Sequence, residues 1–134
     1  MRRSALYSLL LAFSLTLPGS AIAGPETAQE VEYLLEFVAG SGCTFVRNGD
    51  DHDSADAADH LRLKYGRGKR YVDSAEQFID RLATASSWSG DPYTVTCEDK
   101  TQTSAQWLHR ALTEYRQRAA TPAHPTSPKS EAPG

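Results

Sequence analysis

The sequence predicts a small α+β domain, mostly helical, with about four helices, two short strands and one disulfide. Three observations carry this expectation. Apolar residues recur at the 3 and 4 spacing of a helical face in several separate stretches, two short segments alternate instead, and each of those segments holds one of the two cysteines.

The opening "MRRSALYSLLLAFSLTLPGSAIA" places Arg2 and Arg3 before a 13-residue apolar run and a small-residue ending at Ala21-Ile22-Ala23. That order is a secretory signal peptide, residues 1–23, cleaved after Ala23. A helix needs about 20 apolar residues to cross a bilayer, and no second apolar run follows, so no membrane span is expected. The first mature residue is Gly24 rather than cysteine, which argues against a lipid anchor.

Thr27-Ala28-Gln29-Glu30 matches a capping box, and Val31, Leu34, Leu35 and Val38 follow on one face, which predicts a first helix over 28–39 stopped by Gly40 and Gly42. "CTFVRNG" alternates Cys43, Phe45 and Arg47 against Thr44 and Val46 and ends in an Asn48-Gly49 turn signal, a short strand. "DDHDSADAADHLRLKYG" runs from acid to base, as the helix dipole favours, with Ala58, Leu61 and Tyr65 on one face and Gly66 as the stop. Asp73 and Glu76 frame a second capping signal for the most regular apolar stripe, Ala75, Phe78, Ile79, Leu82 and Ala83. Tyr93, Val95 and Cys97 alternate with Thr94 and Thr96 as a second strand. Thr103 and Gln106 cap a last helix that buries Trp107, Leu108, Ala111, Leu112 and Tyr115. Residues 24–118 form one domain in this reading, and 119–134, with four prolines and no apolar period, a disordered tail.

Loss of Arg2 and Arg3 with the leader takes the net charge from −3 to −5. An acidic chain neutralises no phosphate, which excludes nucleic acid and anionic membrane as partners. Cys43 and Cys97, oxidised in a secreted chain, are expected to pair, and they lack the Cys-x-x-Cys spacing of redox thiols.

The segment "ASSWSGDPYTVTC" invites the idea of a serine nucleophile. A hydrolase elbow needs Gly-x-Ser-x-Gly between strand and helix. Here Ser87 and Asp91 stand where those glycines belong, and the order is helix to strand. Ser89-Gly90-Asp91-Pro92 reads as a turn, with a polar binding loop as the functional alternative. The run "DDHDSADAADH" sets Asp56 and His60 on one helical face with His52 in reach, a spacing that also suits a metal. It fails as an EF-hand, since the sixth residue from Asp51 is Asp56 and the twelfth Arg62. Acid at a helix start explains it as well, and no metal or cofactor is assigned. "KYGRGKRY" is a solvated basic loop without P-loop spacing. Trp107, on an apolar face, belongs to a core. Trp88, in a polar turn, is a candidate binding platform.

The words "LLEFVAGSGCTFVRNG", "AADHLRLKY", "SAEQFI", "SSWSGDPYTVTC" and "WLHRALTEYR" resemble the YfeK-like family of small secreted proteins of Gram-negative bacteria, in the family's order over about 26–116. The resemblance implies a periplasmic location and supports the cysteine pairing. It carries no catalytic role. It also implies that Arg47, Asn48, Gly49, His60, Lys64, Ser86, Ser87, Ser89, Gly90 and Tyr93 belong to the family's pattern.

A disulfide between the strands would bring the "RNG" turn near Tyr93, and a shared polar patch of Arg47, Asn48, His60, Lys64, Ser86, Ser87, Trp88, Ser89 and Tyr93 follows. Turn and cap hydrogen bonds are its structural counterpart. The expected function is a non-enzymatic periplasmic binding or interaction domain for an envelope protein or a small polar ligand. Two other readings stand beside it: a small hydrolase with Ser87 or Ser89 as nucleophile and His60 as base, and an envelope component recognised through its tail.

Overall fold

The computed structural model describes residues 24–121. The proposed signal peptide, residues 1–23, and nearly all of the proline-rich tail, residues 122–134, lie outside the described residues. Four helices and one sheet build the fold: α1 (Pro25–Ala39), β1 (Thr44–Arg47), β2 (Asp50–His52), α2 (Ser54–Gly68), α3 (Ala75–Phe78), β3 (Thr94–Cys97), β4 (Lys100–Thr103) and α4 (Ser104–Ala120). A 3-10 turn, Lys69–Tyr71, follows α2, and a π-helical turn, Ile79–Ala83, continues α3. The α+β class, the four helices and the disulfide are those the sequence predicts.

The sheet has four antiparallel strands in the order β2-β1-β3-β4, two more than expected. Both added strands are short, polar and at an edge, where one backbone row faces water and no apolar alternation is needed. Asp50 and Asp51, read as the acidic start of a helix, form β2 instead, and the helix begins one residue beyond its cap, Asp53, whose carboxylate accepts the Asp56 N–H at 2.9 Å. Asn48 and Gly49 close the β1–β2 hairpin with φ of 53° and 83°, the two left-handed residues that a tight two-residue turn requires. Glu98 and Asp99 do the same for β3–β4 at 48° and 65°, with residues that carry no turn signature.

Helix boundaries differ from the expected ones where another residue forms the cap. α1 starts at Pro25 behind Gly24, and the Thr27–Glu30 capping box does not form. α3 is capped by Ser74, which accepts the Gln77 N–H at 3.2 Å, while the Gln77 side chain accepts the Asp73 N–H at 2.9 Å, so the box is Ser74–Gln77 rather than Asp73–Glu76. The stripe after Phe78 is a π turn, with the Thr84 hydroxyl donating to the Ile79 carbonyl at 2.7 Å. α2 runs past Gly66 to Gly68, and α4 extends beyond residue 118 to take in Ala119 and Ala120. Thr103 caps α4 as expected, accepting the Gln106 N–H at 3.3 Å.

The sequence stripes meet in one core. Val31, Leu34, Leu35 and Val38 of α1 pack with Phe78, Ile79 and Ala83, with Leu108, Ala111 and Leu112 of α4, and with Phe45 and Val95, which are register partners on the sheet. Trp107 is buried at the helix–sheet junction, 4.6 Å from Phe37 and 5.5 Å from Phe45 between ring centroids. Cys43 and Cys97 are bonded, with Cα atoms 4.7 Å apart, next to the Thr44–Thr96 pair that opens the β1–β3 ladder.

One core group is ionic. Glu30 is buried and accepts two charge-assisted hydrogen bonds from Arg116, at 2.6 and 2.8 Å; Arg116 also pairs with Glu76. The fork geometry of guanidinium against carboxylate makes this favourable. It holds the Arg116 pKa above its ordinary value and the Glu76 carboxyl below its own. This use of Glu30 explains the missing capping box, because its carboxylate faces α4 rather than the start of its own helix.

Candidate functional site

His60 and Lys64 lie four residues apart on α2, hence on one face, and that face meets Tyr93 just before β3. Lys64 Nζ donates to the Tyr93 hydroxyl at 3.1 Å and to the Ala85 carbonyl at 3.0 Å, and it stands 5.0 Å from the Tyr93 ring centroid. His60 Nε2 is 3.2 Å from the same hydroxyl. An ammonium can only donate, so the phenol oxygen accepts from Lys64 and its own proton is left for His60 Nε2. Burial first, then the charges of Arg47, Lys64 and His52, lowers the His60 pKa to about 4, so the ring is neutral at pH 7 and suited to accept. Burial and Arg47 also lower the Lys64 pKa, and burial raises that of Tyr93.

A cleft opens beside this group. Phe45, Val46, Ala57 and Leu61 give it apolar walls, and Arg47, His52, Asp56, His60 and Tyr93 give it polar ones. His52 Nε2 is buried without a hydrogen-bond partner. His52, Asp56 and His60 therefore share a cleft, although no group of three or more His, Cys, Asp or Glu among the described residues has the arrangement of a metal site.

The serine segment is a closed loop. Ala85 and Pro92 form a β-bridge, and the Tyr93 N–H donates to the Thr84 carbonyl at 2.9 Å. Ser86 bonds with every polar group it has: its N–H donates to Asp91, its carbonyl accepts from Gly90, and its buried hydroxyl accepts the N–H groups of Trp88 and Ser89 at 3.2 and 3.3 Å. Gly90, at φ 77°, turns the chain back. The Ser89 hydroxyl donates to Asn48 Oδ1 at 2.8 Å and accepts the Asp91 N–H at 3.2 Å. Trp88 rides on this loop 94% exposed.

The expected patch residues thus fall into two linked groups. Asn48, Ser86, Ser89 and Trp88 belong to the loop and the hairpin tip; Arg47, His60 and Tyr93 line the cleft, and Lys64, behind the Tyr93–His60 wall, joins the groups through Ala85. The Ser87 side chain makes no hydrogen bond among the described residues. The pairing that a serine nucleophile requires, a hydroxyl bonded to His60, is not formed: His60 faces Tyr93, while the Ser86 and Ser89 hydroxyls serve the loop. Sequence reasoning missed His52 and Asp56 as companions of Tyr93 in one cleft. The sequence already sets Asp56 and His60 on one face with His52 in reach; no local spacing joins Tyr93 to them.

These features define a disulfide-stapled α+β protein with one face built from a half-apolar cleft, carrying Arg47 and Asp56 on its walls, and a hydrogen-bonded serine-tryptophan loop. The chain belongs to a family of unknown function (DUF5329), which it matches over residues 25–116. It is 42% identical over 85 residues to the uncharacterized protein YfeK of Salmonella typhimurium, covering 63% of this chain and 71% of that protein. No solved structure matches it. No helix among the described residues is long and apolar enough to cross a membrane.

Proposed function

We propose that the protein is a periplasmic binding or interaction domain, non-enzymatic, and that its working face is the loop around Trp88 with the adjoining cleft. The observation that carries this reading is the Ser89–Asn48 hydrogen bond, which fixes the serine loop to the β1–β2 hairpin and presents a fully exposed tryptophan from a rigid support. An indole held in water with its backbone already ordered binds at low entropic cost. Secretion is the companion proposal, supported by the basic, apolar and small-residue order of residues 1–23, with one folded unit from Gly24 to the end of α4 and the proline-rich tail as an appendage. Intact-mass measurement of the periplasmic protein should give a chain starting at Gly24.

The binding reading is tested by capture of envelope components on the immobilised protein, beside Trp88→Ala and, as a surface control, Tyr71→Ala. Loss of specific capture in Trp88→Ala alone supports it. Equal capture by all three contradicts it.

A further inference from the structure

We propose that the cleft between α2 and the β1–β2 hairpin is a subsite for a short aliphatic carboxylate, which deepens the binding reading above. The charge arrangement comes first. Arg47 lines the cleft and Lys64 stands behind its Tyr93–His60 wall, and neither pairs with a carboxylate among the described residues. Asp50, the register partner of Arg47 across the hairpin, makes no ion pair with it. Lys64 spends its hydrogen bonds on the Ala85 carbonyl and the Tyr93 hydroxyl, which leave its charge uncancelled, whereas Arg62 is paired with Glu36 and Asp59 and Arg116 with Glu30 and Glu76. Two cations without a carboxylate, one on the cleft wall and one behind it, together with His52 Nε2 buried without a hydrogen-bond partner, leave a deficit of negative charge and an unmet polar group there.

The walls narrow the ligand. Phe45, Val46, Ala57 and Leu61 line the same space, so the anion should carry an apolar substituent rather than be fully hydrated. Centres of water molecules have about 30 Å³ to occupy, which is two or three waters at roughly 10–15 Å³ each and limits the inserted group to a few heavy atoms. A carboxylate head, three heavy atoms, fills this space, and a two- or three-carbon tail extends from it toward the mouth of the cleft, free or at the end of a larger molecule. Asp56 is the opposing group, a carboxylate on the cleft wall that weakens the attraction without cancelling both cations.

The test is a titration of the purified protein with propionate, followed by amide and imidazole resonances, beside neutral propionamide and inorganic phosphate. Propionate should shift Arg47, His52, His60 and Tyr93 saturably, with propionamide at least tenfold weaker. Arg47→Gln should weaken propionate at least fivefold, and Asp56→Asn should strengthen it. Bound anion should also raise the His60 midpoint, since a nearby negative charge favours the protonated ring. Propionamide as tight as propionate, an unchanged affinity in Arg47→Gln, or no saturable shift at the cleft overturns the proposal. Phosphate as tight as propionate overturns the assignment to an aliphatic carboxylate. Trp88-dependent capture that persists after such a result leaves the binding reading standing and removes only this subsite, so the two fail separately.

Discussion

Removing the disulfide should cost this fold about 4 kcal/mol. Cys43 and Cys97 close a loop of sequence separation 54, and on the chain-entropy account a loop of that length removes about 14 cal/mol/K from the unfolded ensemble, or about 4 kcal/mol at 25 °C. The native side changes little, because the residues beside the bond remain paired in the β1–β3 ladder through Thr44–Thr96 and Phe45–Val95. The perturbation is the double variant Cys43→Ala, Cys97→Ala, which avoids reductant and stray thiols. Urea unfolding followed by circular dichroism should show the midpoint falling and the m-value rising, since the uncrosslinked chain exposes more surface. The melting temperature should drop by roughly 15–30 °C for a domain of this size. A loss below about 1 kcal/mol would refute the reasoning, and would mean that the unfolded chain keeps the two strands together without the bond.

The other predictions concern the loop, the buried ion group and pH. Ser86→Ala strands two backbone N–H groups that the buried hydroxyl now satisfies and should cost about 1–2 kcal/mol, whereas Trp88→Ala, on an exposed ring, should stay within about 0.5 kcal/mol; thermal melts that reverse this order contradict the loop's construction. Arg116→Ala leaves Glu30 buried without its counter-ion. Because Arg116 is itself half-exposed, the cost should be about 2–3 kcal/mol, less than for a fully buried pair, and the double variant Glu30→Met, Arg116→Met should lose less than Arg116→Ala alone. His60 has a folded pKa of about 4 against 6.5 unfolded, so between those values the unfolded chain binds more protons. Stability should be full above pH 6.5 and decline as pH falls toward 4. Urea unfolding at pH 7 and pH 4.5 should show a smaller difference in His60→Gln than in the parent protein, and equal differences would contradict the assignment.

Much of the fold was legible because its signals are local. The apolar stripes of α1 and α4, the Asn48-Gly49 turn and the alternation around Cys43 and Cys97 each rest on spacing within one short stretch. What escaped was either polar or distant. The edge strands, Asp-Asp-His and Lys-Thr-Gln-Thr, have no apolar alternation to read, and the Glu98-Asp99 turn adopts left-handed backbone without the glycine that usually announces it. Glu30 looked like a helix cap because its true partner, Arg116, is 86 residues away. For the site, the residue types were readable, and so was the meeting of the hairpin tip with the serine loop, given paired cysteines. The Lys64–Tyr93–His60 contact was not, because helix spacing aligns His60 with Lys64 but says nothing of which residue of the sheet they face.

The central claim, that the Trp88 loop is where this protein meets its partner, is tested most directly by placing a photo-crosslinking phenylalanine analogue at position 88 in the full-length protein in cells, with the same analogue at Tyr71, another exposed aromatic site, as reference. The account predicts a discrete crosslinked product from position 88 on irradiation and none from position 71. No product from position 88, or the same products from both positions, would contradict it.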